Sequence, residues 1–133
     1  MSTEQRGSAQ TGANLLRAGR NIALKVPPHQ WDATVQFYRR TLGLPELTDF
    51  APDVVFQFGP NQLWIDRVAT ISQAELWLEL VTDDTKAAAR HLERAGVVRC
   101  DEIEQLPQGF DGFWIASPAA IVHLVSGPDD TEV

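Results

Sequence analysis

The stretch Asn21-Ile22-Ala23-Leu24-Lys25-Val26 alternates polar and apolar side chains, which predicts a strand, and it leads into a helix-like segment closing on Leu42-Gly43. A second stretch, Trp77-Leu78-Glu79-Leu80-Val81-Thr82, leads into another such segment closing on Ala95-Gly96. Each half continues with short apolar runs that are typical of strands. A strand, a helix and three strands, repeated at an offset of roughly 55 residues, predict an α+β fold with two βαβββ modules in one chain.

The composition is that of a single globular domain. The chain has 133 residues, 44% of them hydrophobic and 22% charged, with a formal net charge of −7. We place module one at about residues 21–69 and module two at about residues 74–127. Residues 1–20 are polar and lack the apolar core of a secretory signal, so we expect a mobile N-terminal tail, with a short docked helical turn at residues 14–17 as the alternative. The single cysteine provides no disulfide, which favours the cytoplasm.

The charge and hydropathy patterns exclude two classes of partner. Basic residues are scattered through an acidic chain, whereas nucleic-acid-binding proteins cluster them on one face. No run approaches the roughly 18 apolar residues of a membrane span. We therefore expect a small-molecule ligand, no nucleic acid and no membrane. An exposed sheet edge and the apolar last strand, residues 121–125, favour a homodimer.

Each predicted helix has one apolar side, as a helix lying on a sheet requires. Proline follows the first strand and suits a helix start, after which apolar residues recur at helical spacing. The second helix is expected to begin at Asp83-Asp84 and to stop at Gly96. The residues expected to face inward are Trp31, Val35, Tyr38 and Leu42 in the first helix and Ala88, Leu92 and Ala95 in the second.

Three predicted strands have one apolar face and one unusual face. The leucines at 76, 78 and 80 should meet the helix, as should Leu63 and Ile65. Tryptophans among charged groups suit neither a dry core nor a solvated surface, so the other face predicts the wall of a cavity. Its candidate ligand-binding residues are Asn21 and Lys25 in the first strand, Trp64 and Asp66 in the second, and Glu75, Trp77 and Glu79 in the third.

Three further stretches point to one family. They are FYRRTLGL at residues 37–44, the segment from Asp83-Asp84 to Ala95-Gly96-Val97, and Phe113-Trp114 through Ser117-Pro118. With the repeat, they make residues 21–127 resemble the vicinal oxygen chelate superfamily, which includes glyoxalase I, extradiol dioxygenases, fosfomycin-resistance enzymes and bleomycin-resistance proteins. The resemblance implies modules whose sheets curl around a concave site, each with one helix outside, often completed across a homodimer.

The resemblance also implies where a metal ion would be held. Enzymes of this superfamily bind a divalent metal with side chains from the first and last strands of each module, which fall here on Asn21, Trp64, Trp77 and His123. Only His123 is a good ligand, because an indole does not coordinate metals. We therefore predict no cofactor and no metal ligands, with one divalent metal ion as the alternative.

The register of the last strand decides where His123 points. Ala119-Ala120 replaces the family's usual Asp-Gly, and a gapless alignment would place Leu124 at the ligand position. We expect His123 to face the cavity, because the opposite register presses an imidazole against the helix side. His123 is then a half-buried residue, a lone ligand, or a weak candidate for a general acid or base. Trp114, near a predicted hairpin tip, either closes over the cavity or packs at a dimer seam.

Each candidate keeps a structural alternative. Trp64 and Trp77 either contact a ligand or plug a closed cavity. Glu75 and Glu79 are rim residues or ion-pair partners, and Lys25 is their expected internal partner. The function expected is a metal-free small-molecule-binding protein of the glyoxalase/bleomycin-resistance type, with an aromatic and acidic cavity for a flat or cationic ligand. The alternatives are a metal-dependent lyase, isomerase or dioxygenase with altered ligands, and a structural domain with a closed cavity.

Overall fold

The structure, a computed structural model, describes residues 15–128. Of these, residues 20–78 form one compact unit, and residues 15–19 with 79–128 form a second. The helices are α1 (Pro28–Gln36) and α2 (Thr85–Arg94). The strands are β1 (Arg17–Ala18), β2 (Asn21–Val26), β3 (Val54–Phe58), β4 (Asn61–Arg67), β5 (Glu75–Val81), β6 (Val98–Arg99), β7 (Gly112–Ala116) and β8 (Val122–Ser126).

In the first unit the strands follow the order β3-β4-β2-β5. β2 runs parallel to β4 and antiparallel to the start of β5, with Ala23 opposite both Trp64 and Trp77. β3 and β4 are antiparallel neighbours, and a single bridge from Glu46 to Phe56 stands where the module's second strand is expected. The unit is therefore one βαβββ module, as the repeat predicts.

The core of the first unit lies between α1 and the sheet. Val35 of α1 packs with Val26 and with apolar residues of β3 and β4, and Trp31 and Tyr38 pack against this cluster. Alternation in the strands sends every second side chain to this side, as predicted. Leu76 is an exception, since it is exposed although the alternation predicted contact with a helix. The reason is that α1 packs over β2 and β4, whereas Leu76 lies on the neighbouring strand.

The end of the first helix departs from the sequence prediction. Residues 37–41 form a π-helical turn, closed by a 2.9 Å hydrogen bond from the Leu42 N–H to the Phe37 carbonyl. A wider turn rotates the following residues away from the face set by α1. Leu42 is therefore 49% exposed, and the prediction that it faces inward is wrong.

The second unit repeats the module. The end of β5 is followed by β8, β7 and β6 in sheet order, and α2 covers the sheet through Ala88 and Leu92. β1 pairs antiparallel with β5, and Leu15 and Leu16 pack against the second core. Residues 15–20 are thus a strand and its flanks rather than the mobile tail that was predicted, while residues 1–14 of that tail lie outside the described residues. The predicted α+β fold of two βαβββ modules is confirmed.

Helix α2 begins and ends as its sequence predicts. Asp84 is the N-cap, and its carboxylate accepts a 3.0 Å hydrogen bond from the Ala87 N–H. At the other end the Val97 N–H donates to the Leu92 carbonyl, and Gly96 takes the left-handed φ of 79° that such a cap needs. Ala95, predicted to face inward, is exposed beside this cap. Across residues 15–128, no helix combines the length and apolar composition that crossing a membrane requires.

Candidate functional site

One face of the first unit's sheet is polar and aromatic, and it points away from α1. We call this surface the polar face. The pairing register places Asn21 opposite Gln62, Lys25 opposite Asp66, and Lys25 also opposite Glu75. Paired residues project to the same side of a sheet, so the side chains predicted to line a cavity share one surface. The predicted residues that the structure brings together here are Asn21, Lys25, Trp64, Asp66, Glu75 and Trp77.

Lys25 lies on β2 between Asp66 and Glu75 of the neighbouring strands and is only 6% exposed. Its ammonium is 3.0 Å from the Asp66 carboxylate and 4.3 Å from the centre of the Trp77 ring. Burying a charge is costly unless it is paired, and here a carboxylate and a π-face compensate the loss of water. Lys25 therefore holds two of the candidate ligand-binding residues in place.

The two tryptophans of the polar face are held differently. Trp77 is buried, donates a 2.9 Å hydrogen bond from Nε1 to Glu75, and has Lys25 over its ring. Trp64 is only half-buried, donates from Nε1 to the Asn21 side chain at 2.8 Å, and contacts the Phe50 ring with centroids 4.9 Å apart. Trp64 thus keeps accessible ring surface in a fixed orientation, whereas the face of Trp77 is already occupied by a cation.

Phe50 is the member of this surface that sequence reasoning missed. It lies in a short 3-10 turn, Thr48–Phe50, within a loop that has no periodic pattern. Alternation and helical spacing identify residues inside regular elements only. The available signal was weak: an aromatic residue in a loop close to Pro45 and Pro52.

The remaining predicted residues, Glu79, Trp114 and His123, belong to the second unit. Glu79 lies against Gly19, where any side chain in place of the glycine would collide with its carboxylate. Trp114 is buried, and its Nε1 donates a 2.8 Å hydrogen bond to the Glu104 carbonyl. The Trp114 side chain therefore binds the segment before β7 and does not form a mobile cover over a cavity.

The backbone N–H of Trp114 also shapes the electrostatics of this segment. It donates a 2.9 Å hydrogen bond to Asp101, whose other carboxylate oxygen accepts two from Arg99 at 2.7 and 3.1 Å. Burial acts to raise the pKa of Asp101, but the hydrogen bonds from Arg99 and Trp114 outweigh it and lower that pKa.

His123 lies on the helix side of the second sheet, so the predicted register is corrected. His123 pairs with Ile115 across the sheet and lies two residues before Val125 on β8, so all three side chains project to the same side. Ile115 and Val125 belong to the core under α2. Ala120, where the family usually has glycine, takes a left-handed φ of 64°. The turn before β8 therefore needs no extra residue, and the alignment without a gap applies. Leu124, paired with Trp114, therefore projects to the other side of the sheet.

Solved structures share this arrangement of modules. A Mn(II)-bound glyoxalase from Novosphingobium aromaticivorans matches with a TM-score of 0.57 and 22% identity, over 86% of this chain and 38% of its own. For methylmalonyl-CoA epimerase from Mycobacterium tuberculosis the values are 0.57 and 14%, over 90% and 93%. A glyoxalase/bleomycin resistance protein/dioxygenase superfamily member from Vibrio splendidus 12B01 matches at 0.52 and 11%, over 85% and 99%. The chain has the vicinal oxygen chelate fold.

These likenesses establish the fold and leave the activity open. The chain spans well under half of the length of the glyoxalase, and every identity is below 25%. No family model matches the sequence, and no curated protein matches it either.

The metal positions that the vicinal oxygen chelate fold implies do not fit a divalent ion here. Asn21 accepts the hydrogen bond of Trp64, and the indoles of Trp64 and Trp77 offer no lone pair to a metal. The corrected register puts Leu124, not His123, at the fourth position. Among residues 15–128, no three His, Cys, Asp or Glu side chains form a group that could hold a metal ion.

Proposed function

We propose that this chain binds a flat, neutral or cationic organic molecule on the polar face of its first unit, without a metal ion. The observation that carries the proposal is the state of Trp64, which is half-buried and fixed by Asn21 and Phe50. A rigid aromatic surface costs little entropy when a ligand stacks on it. Such stacking contributes on the order of 1 kcal/mol per contact.

The charges of the polar face support the preference for cations. Lys25 is the one cation among the residues gathered on the polar face, where it pairs with Asp66 at 3.0 Å, and Glu75 adds a second carboxylate beside Trp77. An anionic ligand would meet this carboxylate, whereas a cation or a neutral ring would not be repelled. The proposed ligand therefore stacks on Trp64, since the ring of Trp77 already faces Lys25.

One observation favours a second candidate, a structural domain whose polar face binds nothing. The side chains of Asn21, Lys25 and Trp77 each have a polar or charged partner within the first unit. A network that is satisfied internally has no polar group that requires a ligand. The two candidates differ in what they predict for Trp64.

A titration with N-methylquinolinium separates these candidates. We expect this flat cation to shift the indole Nε1–H resonance of Trp64 in NMR spectra, and neutral quinoline to bind more weakly. Trp64→Leu should weaken binding about tenfold, which corresponds to about 1.4 kcal/mol. Trp31→Leu is the matched control, since Trp31 packs on the opposite side of the sheet, and it should leave the affinity unchanged.

The result that contradicts the proposal is equally specific. If the Trp64 resonance stays in place at saturating cation, or if Trp31→Leu and Trp64→Leu weaken binding equally, the polar face is a structural surface. Calorimetry on chelated protein with Zn²⁺, Mn²⁺, Fe²⁺ and Ni²⁺ under anaerobic conditions tests the metal-free part. We expect no tight site, and one tight site per chain would favour a metal-dependent enzyme.

The homodimer and the cytoplasmic location also belong to this proposal. Phe58, at the end of β3, is exposed, and exposed aromatic side chains are typical of surfaces on which a second copy packs. Sedimentation equilibrium should give twice the chain mass. A mass equal to one chain would remove the homodimer from the proposal without affecting the ligand.

A further inference from the structure

The second unit contains a cavity that is separate from the polar face. It has a volume of about 310 Å³ and lies between the C-terminal end of α2 and the helix side of the sheet. Ala95 and Gly96 line it from the helix, residues 115–118 line it from β7 and the following turn, and His123 lines it from β8. All of these residues belong to the second unit, whereas the polar face belongs to the first.

The cavity lies past the end of α2 rather than under its middle. Ala88, Ala89 and Leu92 of α2 pack into the core of the second unit. The residues that border the cavity at the helix end are Ala95, Gly96, Val97 and Val98, which follow the last turn of α2.

His123 is an unusual residue to find in this wall. When the two modules are aligned without a gap, Leu124 of β8 corresponds to Trp64 of β4. His123 then corresponds to Leu63, a buried core residue of the first unit. His123 is half-buried, so its ring stays partly in contact with solvent while it lines this mostly apolar space. A polar ring in an apolar wall supplies a hydrogen-bonding group for a ligand.

The hydrogen bond of His123 fixes which nitrogen remains available. Its Nδ1 lies 3.0 Å from the Ile121 carbonyl, and because a carbonyl only accepts, Nδ1 carries the hydrogen. In the neutral ring Nε2 is then an acceptor, which recognises a hydroxyl or N–H group. The other polar side chain of the lining is Ser117, whose hydroxyl accepts a hydrogen bond from the Ile121 N–H at 3.2 Å.

Size and charge narrow the ligand further. The space is open to solvent, since Ala95, Gly96, Val98 and Pro118 in its lining are exposed. Its volume of about 310 Å³ lies at the small end of ligand pockets, which suits a bicyclic aromatic molecule. The C-terminal end of α2 carries the negative end of the helix dipole, which disfavours a carboxylate nearby. A neutral donor such as a phenolic hydroxyl satisfies both conditions.

We propose that this cavity is a second binding site, which takes a small bicyclic aromatic molecule bearing one hydroxyl group. The rings fill the apolar space past the end of α2, and the hydroxyl donates to Nε2 of His123. The site is independent of the polar face and of its proposed ligand.

The test uses 2-naphthol as the probe and naphthalene as the same ring system without the donor. We expect 2-naphthol to shift the backbone amide resonances of residues 95–98 and 115–117 in NMR titrations, while the indole resonances of Trp64 and Trp77 stay in place. 2-Naphthol should bind about fivefold more tightly than naphthalene, which is the effect of one hydrogen bond.

Two variants make the test specific. His123→Leu restores the residue type of the first unit and should weaken 2-naphthol about fivefold without changing the affinity for naphthalene. Ala95→Leu enlarges a side chain of the lining at the end of α2 and should weaken both compounds. Equal affinity of the two compounds for the unmodified protein, shifts confined to Trp64 and Trp77, or no shift at saturation would each overturn the proposal, whether or not the variants fold.

Discussion

The two units pack side chains of different size between helix and sheet. In the first unit, α1 brings Trp31 and Tyr38 against the buried core. In the second unit, α2 brings Ala88, Ala89 and Leu92 to its core, and a cavity of about 310 Å³ lies near the helix end. The order of elements is the same in both, so the same topology carries two differently packed helix sides.

The comparison shows that a repeat of topology does not imply a repeat of side-chain chemistry. In the first unit the unusual chemistry lies on the polar face, around Lys25 and Trp64. In the second unit it lies on the helix side, around His123. If both proposals hold, the two modules bind ligands on different sides of their sheets.

The largest expected effect separates the two cores directly. Ile65 in the first unit and Ile115 in the second are both buried, at 3% and 6% exposure. Ile65→Ala should lower the free energy of unfolding by about 4 kcal/mol, because it opens a new cavity in a closed core. Ile115→Ala should cost only about 2 kcal/mol, since Ile115 already borders a cavity and has fewer neighbours to lose.

Urea denaturation of both variants measures this difference. Ile65→Val and Ile115→Val serve as conservative controls, each expected to cost about 1 kcal/mol. Equal losses for the two alanine variants would mean that the cavity at the end of α2 closes in solution, and the distinction between the units would not hold.

The strands and faces of both units could be predicted from alternation, because a period of two determines which side chains share a surface. The same reasoning could not predict local backbone geometry. Leu42 is exposed because a π-helical turn precedes it, and His123 lies under α2 because Ala120 adopts a left-handed φ. Both depend on backbone angles that the side-chain pattern does not encode.

The sequence predicted which residues share the polar face, but not which of them contact each other. Lys25 was expected to pair with Glu75 or Glu79, and the contact with Asp66, the residue opposite it on β4, was not foreseen. That pairing follows from strand register, which one sequence does not specify. The contact of Phe50 with Trp64 depends on how a loop folds back, and no periodicity reports on it.

A smaller effect tests the polar face. Asp66→Asn removes the carboxylate from a lysine that is almost fully buried, and it should lower the free energy of unfolding by about 2 kcal/mol. Lys25→Met should cost about 1 kcal/mol, because the Asp66 side chain is partly exposed and water can solvate it. Neither variant should change the affinity of the second unit for 2-naphthol, because the proposed 2-naphthol site contains neither residue.

The double variant Lys25→Met/Asp66→Asn isolates the pair. If the two groups stabilise each other, its cost should be smaller than the sum of the single costs. Additive costs would indicate that the 3.0 Å contact contributes nothing to stability, and that Lys25 is held by its other neighbours, including Trp77.

The smallest effect compares one carboxylate from each unit as the pH falls. Arg39 donates two hydrogen bonds to Glu46, at 2.8 and 2.9 Å, and these outweigh burial and lower the pKa of Glu46 from its usual 4.5. The pKa of Asp101 is likewise below its usual 3.8. A lowered pKa in the folded state stabilises the protein above the usual value, and this contribution is lost as the pH falls through the folded-state pKa.

Glu46→Gln should therefore flatten the fall in unfolding free energy below about pH 4.5, and Asp101→Asn should do so at lower pH. We expect the larger change for Glu46, because its side chain is 25% exposed and that of Asp101 is 50% exposed, so water screens Asp101 more strongly. Urea midpoints measured between pH 3 and pH 6 test this order. If Asp101→Asn instead flattens the acid dependence more than Glu46→Gln does, then the hydrogen bond from the Trp114 N–H to Asp101 outweighs the difference in exposure.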